Sequence, residues 1–173
     1  MPSRPVDARG FGTQDVETLY AELEKPMYNV LLRRLWEPEE AEEVVQEAFV
    51  RLWAMRTRVE PATVRPLVWK IALNLASRRR RWKALRSWFS LDGLAGGDRA
   101  DHSLGDAQVA LRVREAVEAL PDELREVMLL CAYAELSYAE VGSILGVPEG
   151  TVGSRRNRAL AQLQHVLGEV NDG

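Results

Sequence analysis

The segment RRNR at residues 155–158 carries side chains that are well suited to bind a polyanion. Arginine neutralises phosphates and pairs with guanine, and asparagine pairs with adenine. Ahead of this segment, Ser137 and Glu140 form the pattern of a capping box. Gly146 favours the left-handed turn that ends a helix, and Pro148 favours the start of another. The pattern predicts a helix-turn-helix, whose second helix binds in the major groove of DNA; an ordinary helical hairpin with a solvated basic face is the alternative.

Two other segments concentrate charge of one sign. Residues 37–47 contain six glutamates and no basic residue, whereas residues 61–91 contain eight basic residues and no acidic one. The basic segment also contains Trp69 and Trp82, and arginine combined with aromatic rings suits unpaired bases. Taken alone, the acidic run also fits a solvated helix face, and each tryptophan also fits a core position. Such segregation indicates two partners of opposite charge.

Apolar residues recur every three or four positions almost throughout, which predicts an all-α fold. We expect two small helical domains, at residues 13–89 and 106–168, with the helix-turn-helix in the second. A glycine- and aspartate-rich segment at residues 90–105 is expected to be a flexible linker between them.

Proline sets the expected helix limits in the N-terminal domain. Pro26 should kink or split the first helix, and Pro61 and Pro66 should bound a loop before the third. The second helix is expected to bury an apolar stripe that ends at Leu52 and Trp53. Further helices are expected at about residues 106–119, 122–133, 138–145 and 148–167.

Other classes of protein are poorly supported. The 173 residues are 46% hydrophobic with a net charge of −3, as in an ordinary globular protein. No apolar run approaches the roughly 18 residues of a membrane span, and the first twelve residues lack a secretory signal; we expect a cytoplasmic protein without membrane insertion. Cys131 is the only cysteine, and neither His102 nor His165 has a partner at ligand spacing. We therefore expect no metal, no cofactor and no enzymatic activity.

Three motifs resemble those of bacterial RNA polymerase sigma factors of the extracytoplasmic-function (ECF) group. The segment EEAEEVVQEAFVRLW resembles the acidic polymerase-binding helix of that family, and the segment WKIALNLASRRRR resembles the helix that follows it. The promoter-binding domain resembles the segment from ALPDELREV to NRALAQL. The motifs stand in the family's order and cover most of residues 15–167. The chain departs from the family at Gly142, Gly153 and Arg156, where alanine, lysine and leucine are usual.

The resemblance implies an initiation subunit that binds core RNA polymerase, places it on the −35 and −10 promoter elements and helps to melt the latter. The residues implied in binding the β′ clamp helices are Glu40, Glu42, Glu43, Gln46 and Glu47. Those implied in −10 DNA binding are Arg65, Trp69, Lys70, Asn74, Arg78 and Arg81. Those implied in −35 DNA binding are Thr151, Ser154, Arg155, Arg156, Asn157 and Arg158.

The resemblance also implies contact with the polymerase β flap, inhibition by an anti-sigma factor, and a monomeric state when free or inhibitor-bound. The linker acids would mimic nucleic acid in the polymerase, a plain spacer being the alternative; they are Asp92, Asp98, Asp101 and Asp106. A free-standing helix-turn-helix regulator that binds duplex DNA as a dimer would leave the acidic and basic segments unexplained. An enzyme acting on nucleic acid would lack catalytic residues.

Overall fold

The computed structural model describes residues 11–89 and 104–168, and within these residues every regular element is helical. The α-helices are α1 (Thr13–Leu35), α2 (Pro38–Met55), α3 (Val64–Phe89), α4 (Leu104–Ala119), α5 (Asp122–Tyr133), α6 (Tyr138–Leu145) and α7 (Glu149–Gly168). Two 3₁₀ turns, Arg56–Arg58 and Pro61–Thr63, precede α3. The predicted all-α fold is confirmed.

The chain divides into two compact units, Met1–Ala76 and Ser77–Gly173, and α3 runs through the division. The limits predicted for the two domains, 13–89 and 106–168, therefore stay a prediction. Most of the predicted linker lies outside the described residues, including Asp92, Asp98 and Asp101. Its last two positions open α4.

The paired helices α1 and α2 build the first core. Their buried stripes meet face to face, and the ring of Tyr20 packs edge-on against Phe49 with centroids 4.9 Å apart. Pro26 lies inside α1, which continues as one helix, so the alternative that this proline splits it is wrong. Leu23 and Met27 are fully buried on either side of it, and their packing offsets the lost backbone hydrogen bond.

The third helix begins two residues earlier than the prolines predict. Pro66 is the third residue of α3, where the backbone N–H would have no partner within the helix, so proline costs nothing there. The fully buried residues on the inner face of α3 are Val64, Val68, Trp69, Ala72 and Ala76. The predicted loop is thus shorter than expected and largely 3₁₀ in character.

The helices α5, α6 and α7 pack on one another, with α4 against α7. Leu120, Leu124 and Ala159 form a buried cluster, and Met128 and Leu163 cover it. The predicted helix limits agree with the structure to within two residues. No described helix combines the length and the apolar character needed to cross a bilayer.

Candidate polymerase and nucleic-acid interfaces

Local backbone chemistry fixes the turn between α6 and α7. The N–H of Ser137 donates to the Glu140 carboxylate at 2.8 Å, and the N–H of Glu140 donates to the Ser137 hydroxyl at 3.3 Å, so the predicted capping box is confirmed. Gly146 then ends α6 with φ of 70°, a left-handed conformation that favours glycine.

Close backbone approach tightens the same turn. The N–H of Val147 donates to the carbonyl oxygen of Gly142 at 3.0 Å. A Cβ atom at Gly142 would lie only 2.6 Å from the carbonyl oxygen of Val147. Because Val141 and Val152 are fully buried, one on each helix, α6 and α7 are held together as a helix-turn-helix.

The face of α7 opposite the core carries only part of the predicted −35 set. Val152 and Ala159 are fully buried and define the inner face. Ser154, Asn157 and Arg158 are exposed on the other side. Thr151, Arg155 and Arg156 are half-buried along the edges of the inner face.

Both half-buried arginines of α7 act on groups of α5. Arg155 donates to the Glu123 carboxylate at 2.7 Å. Arg156 lies close enough to Cys131 for its charge to act on the thiol. Partial burial raises the pKa of Cys131, and the positive charge of Arg156 lowers it by less. The ion pair of Arg155 therefore directs its guanidinium group towards α5, and Arg156 is only partly open to solvent.

The basic helix α3 exposes most of the residues predicted for −10 DNA, but not all. Lys70, Asn74, Arg78 and Arg81 are exposed, and Arg65 forms an ion pair with Glu22 of α1.

Trp69 is the exception, because it has no exposed surface and cannot stack on a base. The prediction that it contacts DNA is corrected: Trp69 is a core residue.

Trp82 supplies the exposed ring that Trp69 does not. Its side chain is 63% exposed. Trp82 stands thirteen positions after Trp69, which turns it by about 220° from Trp69 around a helix of 3.6 residues per turn. The sequence left both rings open as core or binding residues, and the structure separates them.

The acidic helix α2 presents Glu42, Glu43 and Gln46 to solvent, with Glu40 and Glu47 half-buried. Glu47 also accepts a hydrogen bond from Arg51 at 2.6 Å. A groove of about 390 Å³ opens beside this face; it is lined by Tyr20, Glu24, Lys25, Tyr28, Glu42, Val45 and Gln46.

The phenol of Tyr20, which lines this groove, is affected by the acidic residues around it. It donates a hydrogen bond to Glu24 at 3.0 Å. Burial first, and then that hydrogen bond and the negative charges of Glu24 and Glu42, raise the pKa of Tyr20. The carboxylates of Glu24 and Glu42 therefore act on the phenol, and Lys25 lines the same groove.

Sequence reasoning missed two apolar residues on the exposed side of α2. Val50 is 66% exposed and Trp53 is 38% exposed, although the stripe predicted Trp53 to be buried. The Arg56 guanidinium lies 3.9 Å from the centroid of the Trp53 ring, a cation–π geometry that holds the ring at the surface. The sequence did contain a signal for their exposure. Val50 and Trp53 follow the polar Gln46 by four and seven residues, which places all three on the same face of a helix.

Within residues 11–89 and 104–168, no cluster of histidine, cysteine or acidic side chains could hold a metal ion.

Both helical groups match models of sigma factor regions. The model for Sigma-70 region 2 matches residues 19–86, and the model for Sigma-70, region 4 matches residues 110–163. The ECF RNA polymerase sigma factor SigW of Bacillus subtilis is 31% identical over 159 residues, covering 83% of this chain and 84% of SigW. The chain belongs to the ECF RNA polymerase sigma factors.

A longer relative agrees with this assignment, and a solved structure has a similar fold. The ECF RNA polymerase sigma factor SigE of Mycolicibacterium smegmatis is 31% identical over 148 residues; the match covers 82% of this chain but 57% of SigE. The sigma factor RpoE of Bartonella quintana, solved in complex with the anti-sigma factor NepR, has a similar fold with a TM-score of 0.69 and 22% identity. That likeness covers 90% of this chain and 98% of the solved chain.

Proposed function

We propose that this chain binds core RNA polymerase through the exposed face of α2 and recognises promoter DNA through α3 and α7. The observation that carries this proposal is the separation of charge: exposed carboxylates on α2, and basic residues without any acid from residue 61 to residue 91. Opposite charge on separate elements fits a protein that bridges a basic protein surface and a polyanion.

The polymerase-binding surface combines charge with apolar anchors. Glu42, Glu43 and Gln46 would orient the encounter with the basic β′ clamp helices, because exposed charges act mainly on association. Val50 and Trp53 continue the same face, and an accessible tryptophan is the kind of residue that dominates binding energy. The groove beside Tyr20 would accept a basic side chain of the partner.

The DNA-binding surfaces differ in what they can read. On α3, Lys70, Asn74, Arg78 and Arg81 are exposed and would contact the −10 element, with Trp82 offering a ring for an unpaired base. On α7, Asn157 and Ser154 would meet base edges in the −35 element, and Arg158 would hold a phosphate. Melting of the −10 element would follow from capture of its bases.

The resemblance and the fold also support regulation by a second protein. The similar Bartonella quintana sigma factor was solved with an anti-sigma factor. We infer an inhibitory partner for this chain that covers the polymerase- or DNA-binding faces in the cytoplasm. A tagged chain purified from its own cells after crosslinking should carry a protein that, once isolated, suppresses transcription by the reconstituted holoenzyme.

Reconstitution tests the proposed function directly. The chain is mixed with sigma-free bacterial core polymerase, and run-off RNA is measured from a promoter pool. Glu42→Lys should weaken polymerase binding by about tenfold because it places a cation against a basic partner. Glu17→Lys on α1, which reverses another exposed glutamate, is the matched control and should change binding by less than about twofold.

A second pair of variants addresses DNA. Arg158→Ala should lower run-off RNA and reduce the salt slope of promoter binding by about one, the value for one lost phosphate contact. Arg112→Ala on α4 removes the same charge elsewhere and should leave the slope unchanged. If the unaided chain shifts duplex DNA but never supports run-off RNA, the free-standing regulator is the better description.

A further inference from the structure

An ion pair joins α7, the second helix of the helix-turn-helix, to α5. Arg155 of α7 donates to the Glu123 carboxylate, in the first turn of α5, at 2.7 Å. The side chains are 24% and 51% exposed. The two helices also share the buried cluster of Leu124 and Ala159, so the ion pair lies beside a packed contact and not on an isolated surface.

The position of Arg155 on α7 explains why its side chain reaches α5. It stands three residues after Val152 and four before Ala159, both of which are fully buried. At 3.6 residues per turn, the side chain therefore leaves the helix at the edge of the inner face. Ser154, Asn157 and Arg158 leave from the outer face instead.

The first turns of α7 have a reason to need an external tie. Gly153 lies inside the helix, and glycine destabilises a helix interior relative to alanine. A Cβ atom there would meet only the Tyr138 ring, at 3.7 Å, so this position contributes no side-chain packing of its own. Arg155 stands two residues after Gly153, so its ion pair with Glu123 restrains α7 next to this weak position.

We propose that Glu123 is a positioning residue for promoter recognition. Through Arg155 it fixes the rotation of α7 about its own axis, and with it the base pairs that Ser154 and Asn157 meet. Arg155 then acts on DNA recognition through the helix and not by reading a base. This inference rests on the proposed function, because it assumes that α7 contacts the −35 element.

The expected effect is small and specific. An exposed ion pair shifts an equilibrium by at most about fivefold, so breaking it should redistribute α7 between orientations without unfolding the domain. Base preference at the −35 element should therefore fall by about two- to fivefold. If the ion pair only stabilised the fold, breaking it would lower the amount of folded chain. An excess of the variant chain would then restore the base preference of the parent.

A charge exchange separates positioning from reading. Full-length chain and core polymerase transcribe a promoter pool randomised in the −35 element, and the RNA is sequenced with saturating chain. Glu123→Gln and Arg155→Gln should each broaden the base preference. The double variant Glu123→Arg with Arg155→Glu should restore it to within about twofold of the parent, because the pair is rebuilt with its ends exchanged.

Glu118→Gln is the matched control. Glu118 forms an exposed ion pair with Arg114 on α4, so this variant removes one carboxylate and one ion pair without touching α7. Its base preference should equal that of the parent chain. Any broadening seen with Glu123→Gln is then not a consequence of net charge.

Each opposing result is distinct. If Glu123→Gln leaves the base preference unchanged, Glu123 does not position α7 and the inference is wrong. A uniform rise in transcription from all sequences would show that the carboxylate only repels DNA, which also overturns the inference. If the exchanged variant has a broadened base preference while Glu123→Gln matches the parent chain, Arg155 itself contacts DNA and the inference is wrong. If the parent chain supports no transcription from any sequence, the proposed function fails and the inference falls with it.

Discussion

The Arg125 guanidinium donates a hydrogen bond to the main-chain carbonyl oxygen of Leu120 at 2.6 Å in a buried position. It also donates to the carbonyl oxygens of Val117, at 3.0 Å, and Glu118, and to the Asp122 carboxylate at 2.8 Å. The last carbonyl groups of a helix have no partners within it, so this side chain caps α4 while belonging to α5. One buried cation thus fixes the junction of the two helices.

Removing the Arg125 side chain should strongly destabilise the helices around it. Arg125→Met leaves several buried carbonyl groups without donors, and we expect a loss of about 3 kcal/mol in the free energy of opening of α4 and α5. Arg125→Lys should recover little, because an ammonium group cannot reproduce the planar fork. Amide hydrogen exchange in α4–α7 measures this energy. Arg112→Met, a change of the same type on α4, should lower this free energy far less. Equal losses for the two variants would contradict the role of Arg125 as the cap of α4.

Two glycines of the helix-turn-helix should respond to alanine with opposite signs. Gly142→Ala places a Cβ atom 2.6 Å from the Val147 carbonyl oxygen, a backbone atom that cannot move freely. We expect a loss of about 1–3 kcal/mol, the usual cost of overpacking.

Gly153→Ala should instead stabilise α7 by about 1 kcal/mol, because it gains helix propensity and the Tyr138 ring lies at a favourable 3.7 Å. Urea unfolding followed by circular dichroism compares both variants with the parent chain. A gain for Gly142→Ala would show that the turn relaxes more easily than its geometry indicates.

Glu135 should be replaceable by glycine with a gain in stability. It is an exposed residue with φ of 55°, in the left-handed region that strains an L side chain. Glu135→Gly removes this strain, and after the entropy cost of glycine we expect a net gain of about 0.5 kcal/mol. Glu135→Ala is the control, since it removes the carboxylate and keeps the strain. Thermal unfolding that ranks alanine above glycine would contradict the prediction.

Cys131 should react slowly with alkylating reagents. Burial raises the pKa of its thiol, so a smaller fraction is thiolate at mildly alkaline pH than in the unfolded chain. The unfolded chain ionises first as the pH rises, so this group's contribution to stability is complete below the ordinary thiol pKa and is lost as the pH passes the raised value.

The pH dependence of iodoacetamide labelling tests this directly, with no second thiol to interfere. Arg156→Ala should raise the pKa further, because it removes the charge that opposes the effect of burial. A labelling rate in the folded chain equal to that after denaturation would show that the thiol is not shielded.

Helix limits could be predicted because their signals are local. The Ser137 and Glu140 pair, the left-handed Gly146 and the spacing of apolar residues act within one or two turns, and the helices end where these residues indicate.

The direction in which a side chain points could not be predicted as well. Trp69 and Trp82 stand in the same arginine-rich segment, and only the packing of α3 decides that the first is buried and the second exposed. Arg155 likewise stands in a run of cationic residues, and its ion pair with Glu123 depends on how α5 and α7 pack. These outcomes require three-dimensional contacts between residues that are far apart in the chain.

Among residues 149–160, Arg158 is the one basic residue that is exposed on the outward face of α7. Binding that displaces so few counterions is weak and varies gently with ionic strength. We therefore expect this helix to select a sequence only when a neighbouring attachment has already delivered it to the duplex. We then expect attachment of the chain to the polymerase to precede selection of a −35 sequence by α7.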